Sequence, residues 1–255
     1  MTVRSGTLPA TLSSDHVLVW FFDPAVLQRA DVRTAAAALL TADERARAER
    51  FVFDADRDIS IGARALARTL LLAYAGAARP GDLAFVFNDH GKPALADTVN
   101  GRRLAFNLSH TRGLVACAVA WDTELGVDVE TVRDDPPLSV AQSYFAEPEI
   151  DVLQALAPGD RADAFYATWT LKESFIKARG QGLAIPLDSF AVQLQPPALL
   201  PYGALTATHA DWRLAQLRPL PGFIAAVCWS PDTNNAAVVS HWLAPEAILA
   251  AAARA

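Results

Sequence analysis

Three short apolar runs, Leu104–Leu108, Leu114–Ala120 and Leu125–Glu130, follow one another across gaps of turn length, S-H-T-R-G and W-D-T-E. Gaps that short leave no room for a crossover helix, so the runs are expected to pair as an antiparallel meander. This feature constrains the fold most, because helical patterns flank the meander and do not alternate with its strands. Before it, Val17–Phe22 reads as a buried strand, and a helical stretch runs through Ala35–Leu40. Thr41 and Glu44 then form a capping-box pattern that opens a charged helix. Residues 57–76 carry Ile61, Leu66, Leu70 and Tyr74 near helical spacing and end on Gly76. Leu83–Phe87 is strand-like, and residues 88–93 form a turn-rich loop. After the meander, Arg133–Pro137 reads as a linker. Helices are expected near 147–157 and 161–179, strands near 190–195, 212–217, 223–229 and 237–242, and an Ala-rich helix at the end.

This order is not the β-α-β alternation of a doubly wound fold. The expected class is α+β, in two similar halves, residues 1–123 and 124–255. Each half would pack a small antiparallel sheet with helices, and the site is expected where the halves meet. No repeat is visible by identity.

The chain is 52% hydrophobic and 20% charged, as in globular proteins and unlike disordered ones. No apolar run reaches the roughly 18 residues of a spanning helix, and the N-terminus shows no apolar signal-peptide core. A cytoplasmic protein with no membrane partner is expected. The net charge of −6 argues against broad nucleic-acid binding. The charge is uneven: residues 1–127 hold 14 basic and 14 acidic residues, whereas 128–255 hold 8 and 14. Anion contacts are therefore sought in the first half and cation ligands in the second. Cys117 and Cys228 lie in apolar runs and read as buried free thiols. Of 22 basic residues only Lys92, Lys172 and Lys177 are lysines, so each is worth following.

Asp128 and Glu130 alternate with Val127 and Val129 in G-V-D-V-E. In a strand, both carboxylates leave from one face. They suit an exposed strand face, a protonated acid, or a divalent cation such as Mg²⁺, whose shell is completed by water and phosphate. In W-T-L-K-E-S-F-I-K, Glu173 and Lys177 stand four residues apart on one helix face, either as a surface pair or as a cleft wall. Gly91-Lys92-Pro93 holds a cation in a turn. Phe106-Asn107-Leu108-Ser109-His110 brings a hydroxyl and an imidazole to a strand end, where His110 has donor or base chemistry to offer. No G-x-S-x-G elbow accompanies them, which disfavours a serine hydrolase. The arginine run from Arg45 to Arg68 is mostly a solvated helix face.

Taken in order, G-K-P, F-N-L-S-H, G-V-D-V-E, W-T-L-K-E-S-F-I-K and G-L-x-x-P-L-D-S-F resemble the 4′-phosphopantetheinyl transferase superfamily, of the monomeric, two-half Sfp type. The resemblance spans roughly residues 17–230. It implies transfer of the phosphopantetheine arm of coenzyme A to a serine of an apo acyl or peptidyl carrier protein, with release of adenosine 3′,5′-bisphosphate. It also implies that Asp128, Glu130 and Glu173 hold Mg²⁺ or Mn²⁺. By the same resemblance, Glu173, alone or through a metal-bound water, deprotonates the carrier serine, and Lys177 neutralises the leaving phosphate. Lys92, Pro93, Ser109 and His110 are implied as coenzyme A contacts, with His110 at the 3′-phosphate. Arg47 and Ser60 fall near two further family positions, although Glu44 stands where other members have Lys. Lys172 belongs to the motif without a role. The rival enzymatic reading is a Mg²⁺-dependent phosphate-ester or nucleotide hydrolase, and the non-enzymatic one is a carrier-binding module.

Overall fold

A computed structural model of the chain describes residues 4–6, 8, 11–203, 211–230 and 236–254. In chain order the elements are β1 (Arg4–Gly6), β2 (His16–Phe22), α1 (Ala30–Leu39), α2 (Ala42–Ala48), α3 (Asp54–Ala75), β3 (Phe85–Phe87), β4 (Pro93–Leu95), β5 (Leu104–Thr111), β6 (Leu114–Trp121) and β7 (Leu125–Thr131). There follow α4 (Leu138–Tyr144), α5 (Glu147–Ala155), α6 (Pro158–Arg179), β8 (Ala191–Leu194), β9 (Pro197–Leu200), β10 (Arg213–Leu217), β11 (Phe223–Trp229), β12 (Ala237–Leu243) and α7 (Pro245–Ala252). The class is α+β, as expected.

The chain divides into two compact units. The first holds the described residues up to Phe87, then Pro93–Thr123, and β12 and α7; the second holds Asn88–Lys92 and runs from Glu124 through β11. Two segments thus depart from the expected halves: β12 with α7 joins the first unit, and the turn at residues 88–92 joins the second.

In the first unit a five-stranded sheet has the order β1-β12-β2-β6-β5. It is mixed, not purely antiparallel: β12 runs parallel to both β1 and β2, while β6 is antiparallel to β2 and β5. One core gathers Leu18, Trp20 and Phe22 of β2 with Ile59, Leu66 and Leu70 of α3 and Ile248 of α7. Helix α2 opens on the expected capping box, with Thr41 Oγ1 accepting from Glu44 N and Glu44 accepting from Thr41 N. The buried charges of this unit are paired. Asp58 accepts from Arg33 and Gln28, and Arg68 donates to Glu44 and to the Pro80 carbonyl.

In the second unit a three-stranded antiparallel sheet has the order β10-β11-β7. The expected meander is therefore corrected. β5 and β6 pair, but β7 leaves them and pairs with β11. At the break, Asp122 takes a left-handed φ of 51° and accepts from Arg102 and from the Arg103 amide. Glu124 then exchanges hydrogen bonds with Ser230, its amide reaching Oγ and its carbonyl accepting from Ser230 N. Strand β7 is buried along Leu125–Val129, and pairing beside β11 places it in the sheet that helix α6 covers. Helix α6 covers this sheet, with Leu171, Phe175 and Ala178 packed against Leu214, Ala226 and Cys228.

Candidate active site

Glycine in a strand interior commonly marks a close backbone approach. At Gly126 of β7, a Cβ would lie 2.1 Å from the Ser174 carbonyl oxygen and 2.3 Å from the Ala178 amide nitrogen. Strand β7 and helix α6 therefore meet backbone to backbone. Positions two and four residues further along the same strand face are Asp128 and Glu130. The glycine thus brings the carboxylate face of β7 against the helix face that carries Glu173 and Lys177.

The resulting group is charged and half-enclosed. Lys177 Nζ lies 2.6 Å from Asp128 Oδ1, and Asp128 is buried at 4% exposure. Burial, then the charge of Asp128, pushes the Glu130 carboxyl up to about 7; Lys177 and Arg133 pull it down and Glu173 adds a smaller push upward. Glu173 is also raised, by burial first and Asp128 second, against the pull of Lys177. Both carboxyls are thus raised first by burial and next by the charge of Asp128, with Lys177 as the opposing cation. Their hard oxygens fit a divalent cation of the Mg²⁺ or Mn²⁺ type, which takes few protein ligands and fills its shell with water and phosphate oxygens. Among the described residues, no group of three or more His, Cys, Asp or Glu is placed to hold a metal ion.

Lys172 has an account that its sequence context did not supply. It is fully buried on α6, and Nζ donates to both Glu149 oxygens, at 2.8 and 2.6 Å, and to the Phe190 carbonyl at 2.6 Å. Glu149 also accepts from the Ala146 and Val192 amides. Burial raises the Glu149 carboxyl and lowers the Lys172 ammonium, while their contact favours both charged forms. The pair ties α6 to the start of α5 and to β8. It fixes the helix whose next residue is Glu173.

Lys92 lies in the second unit and is not presented on an open loop. Its Nζ is 2.6 Å from the Ala178 carbonyl and 3.2 Å from Glu124 Oε2. Sequence reasoning missed Glu149, Glu124, Asn88 and Gly126. Gly126 carried a readable signal, a glycine inside a strand pattern, and Glu149 stood at the third position of a helix.

The other expected site residues belong to the first unit. Arg47 is exposed on α2, and Ser60 is half-buried on α3. Its neighbour Arg45 donates to the Ala37 and Leu40 carbonyls, at the end of α1. Pro93 opens β4. Ser109 and His110 do not lie in a turn, because β5 extends to Thr111 and pairs Ser109 with Ala116 and His110 with Val115. As consecutive strand residues they point to opposite faces, with Ser109 buried and His110 exposed. The turn itself contracts to Arg112-Gly113, with Gly113 at φ 88°.

Comparison with known proteins gives two adjoining family matches. Residues 124–228 match the 4′-phosphopantetheinyl transferase superfamily, and residues 28–122 match 4′-phosphopantetheinyl transferase, N-terminal. The chain is 35% identical over 231 residues to 4′-phosphopantetheinyl transferase HetI of Nostoc sp., covering 87% of this chain and 92% of that protein. The chain belongs to the 4′-phosphopantetheinyl transferase superfamily. It is a transferase. It is also 34% identical over 148 residues to 4′-phosphopantetheinyl transferase Sfp of Bacillus subtilis, covering 58% of this chain and 63% of Sfp. With the putative 4′-phosphopantetheinyl transferase slr0495 of Synechocystis sp. it shares 31% identity over 206 residues, 80% of this chain and 70% of that protein. In the transferase, the first of these matches contains Asp128, Glu130, Glu173 and Lys177, and the second contains Arg47, Ser60, Lys92, Ser109 and His110. Among the described residues, no helix is long and apolar enough to cross a membrane.

Proposed function

We propose that the transferase moves the 4′-phosphopantetheine arm of coenzyme A onto a serine hydroxyl of an apo acyl or peptidyl carrier protein and releases adenosine 3′,5′-bisphosphate. The observation that carries this reading is the 2.6 Å contact of Lys177 with the buried Asp128, with Glu130 and Glu173 electrostatically coupled to both, a set of groups suited to phosphoryl transfer. Asp128, Glu130 and Glu173 would hold Mg²⁺ or Mn²⁺, which when bound supplies Lewis-acid charge neutralisation at the pyrophosphate. Glu173, alone or through a metal-bound water, would accept the proton of the carrier serine; burial raises its carboxyl above the ordinary glutamate range, the direction that makes a carboxylate a better base. The serine oxygen then forms its bond to the β-phosphorus as the bond to the bridging oxygen breaks. Lys177, with a fixed ammonium, would neutralise charge on the departing bisphosphate. Arg47, Ser60, Pro93, Ser109 and His110 of the first unit would bind the nucleotide, with His110 at the 3′-phosphate.

Intact-mass measurement of an apo carrier incubated with coenzyme A and Mg²⁺ tests the reading. The carrier is expected to gain one phosphopantetheinyl group, and coenzyme A is expected to stay intact when the carrier is left out. Coenzyme A consumed without a carrier would support hydrolysis instead.

A further inference from the structure

The end of α6 is held in an unusual way. The last carbonyls of a helix have no partner within it. Ile176 O is satisfied by the Gly180 amide at 2.9 Å, the usual device when the helix ends on a left-handed residue. Two other carbonyls are capped by the side chains of a distant turn. Lys92 Nζ donates to Ala178 O at 2.6 Å, and Asn88 Nδ2 donates to Gly180 O at 2.7 Å. Asn88 Oδ1 in turn accepts from the His90 and Lys92 amides, so one side chain both shapes the turn and reaches the helix. Lys92 is also paired with Glu124, just before β7. The contact is close. A Cβ at Gly180, where φ is 65°, would lie 2.7 Å from Lys92 Cδ and 3.0 Å from Asn88 Nδ2.

The clamped turn is the one that carries Lys177. Ala178 has Lys92 at its carbonyl and Gly126 of β7 against its amide, while Lys177 meets Asp128. Displacing the last turn would therefore displace the Lys177 ammonium from the carboxylates. An ammonium at a helix C-terminus is also favoured by the helix dipole.

We propose that the Asn88–Lys92 turn is a positioning clamp for the C-terminus of α6, and that the Lys92 side chain acts on the reaction through Lys177. This rests on the reading of Lys177 as part of the transferase site. The variants Asn88→Ala and Lys92→Met, with Lys92→Arg as the conservative control, separate the roles in the full-length protein. A clamp gives a kcat lowered about tenfold to a hundredfold by misplacement of Lys177, with KM for coenzyme A within about twofold. It also gives faster amide exchange confined to residues 177–182 in both Asn88→Ala and Lys92→Met, with partial rescue by Lys92→Arg. Exchange at the helix end left unchanged would overturn the proposal. So would a rise in KM for coenzyme A about tenfold at constant kcat, which marks a nucleotide ligand, or faster exchange with no loss of kcat. If Lys92→Met fails to fold, Asn88→Ala carries the same comparison. If the wild-type chain transfers no arm, the functional reading fails, while the exchange measurement still decides whether the clamp exists.

Discussion

Helices α3 and α6 are the same device in two settings. Each is 22 residues long, covers a sheet within its own unit, and ends on a left-handed glycine, Gly76 or Gly180, with φ of 66° or 65°. They differ in what lies between helix and sheet. Under α3 the contact is made by side chains: Gly62 faces the Phe22 ring, and Leu66 and Leu70 fill the space beside Trp20. Under α6 the backbones themselves touch at Gly126. Side-chain packing gives the first unit a hydrocarbon interior in which Asp58 and Arg68 are each paired. Backbone contact in the second unit leaves the layer beyond Gly126 open to Asp128, Glu130, Glu173 and Lys177, where acids outnumber bases. A glycine and two residues of register are enough to turn an apolar packing interface into a charged one.

The buried ion pairs offer the largest contrast. Lys172 and Glu149 are 0% and 4% exposed as side chains, whereas Arg68 and Glu44 are 4% and 18%. Removing one partner of a buried pair strands the other charge. Lys172→Met is expected to cost about 3–5 kcal/mol in urea unfolding, and Arg68→Leu less, about 1–3 kcal/mol, because Glu44 can turn to water. Adding Glu149→Gln to Lys172→Met should recover part of the loss. Equal costs at the two sites would break the comparison.

The glycines come next. Gly126→Ala forces β7 away from α6 at backbone atoms and is expected to cost about 3 kcal/mol or more. Gly62→Ala meets side chains, the buried Phe22 ring at 2.9 Å first, and its overpacking cost of about 1–3 kcal/mol is partly offset by a gain of about 1 kcal/mol in helix propensity, so a smaller net loss is expected. Matching urea midpoints for the two variants would contradict the distinction between side-chain and backbone contact.

The pH responses should have opposite signs. Glu130 is raised from 4.5 to about 7, so the folded chain holds a proton that the unfolded chain has lost, and stability falls as pH rises through that window. The group is half-buried, and the expected contribution is about 1–3 kcal/mol, abolished by Glu130→Gln. For Glu44, burial raises the carboxyl, but hydrogen bonds from Arg68 and the Thr41 amide outweigh it and the net shift is downward. Its contribution is present above the ordinary glutamate range and fades as pH falls through the lowered value. Urea unfolding from pH 4 to 8 of Glu130→Gln and Glu44→Gln reads the two signs. The smallest effect is on cation binding. Mg²⁺ at pH 8 is expected to stabilise the wild type by about 1 kcal/mol or more and Asp128→Asn by less.

Most of the elements were legible because their signals are local. The capping box at Thr41, the periodicity of residues 57–76 and the alternation in G-V-D-V-E each need only a few neighbouring residues. What was not legible depended on distant partners. Strand β7 was read with β6, since adjacency in sequence says nothing of the Ser230 contact that redirects it to β11. Strand β12 was placed in the wrong half for the same reason. Ser109 and His110 looked like turn residues because their polarity hid a strand that continues to Thr111. Asp128, Glu130, Glu173 and Lys177 were readable as one set, because the motif spacings match a family. Lys172 and Lys92 were not, since their partners Glu149 and Ala178 come from other elements. The scarcity of lysine was still a useful guide: all three take buried or half-buried contacts in the second unit.

In the proposed reaction, Glu173 handles the serine proton beside Asp128, Glu130 and Lys177. Single-turnover transfer to an apo carrier, followed by intact mass for the wild type and Glu173→Gln at saturating coenzyme A and Mg²⁺, tests it most directly. Loss of a general base predicts a rate lower by about 10²–10⁴-fold in a variant whose fold and coenzyme A affinity are unchanged. Transfer at the wild-type rate by Glu173→Gln would contradict the account.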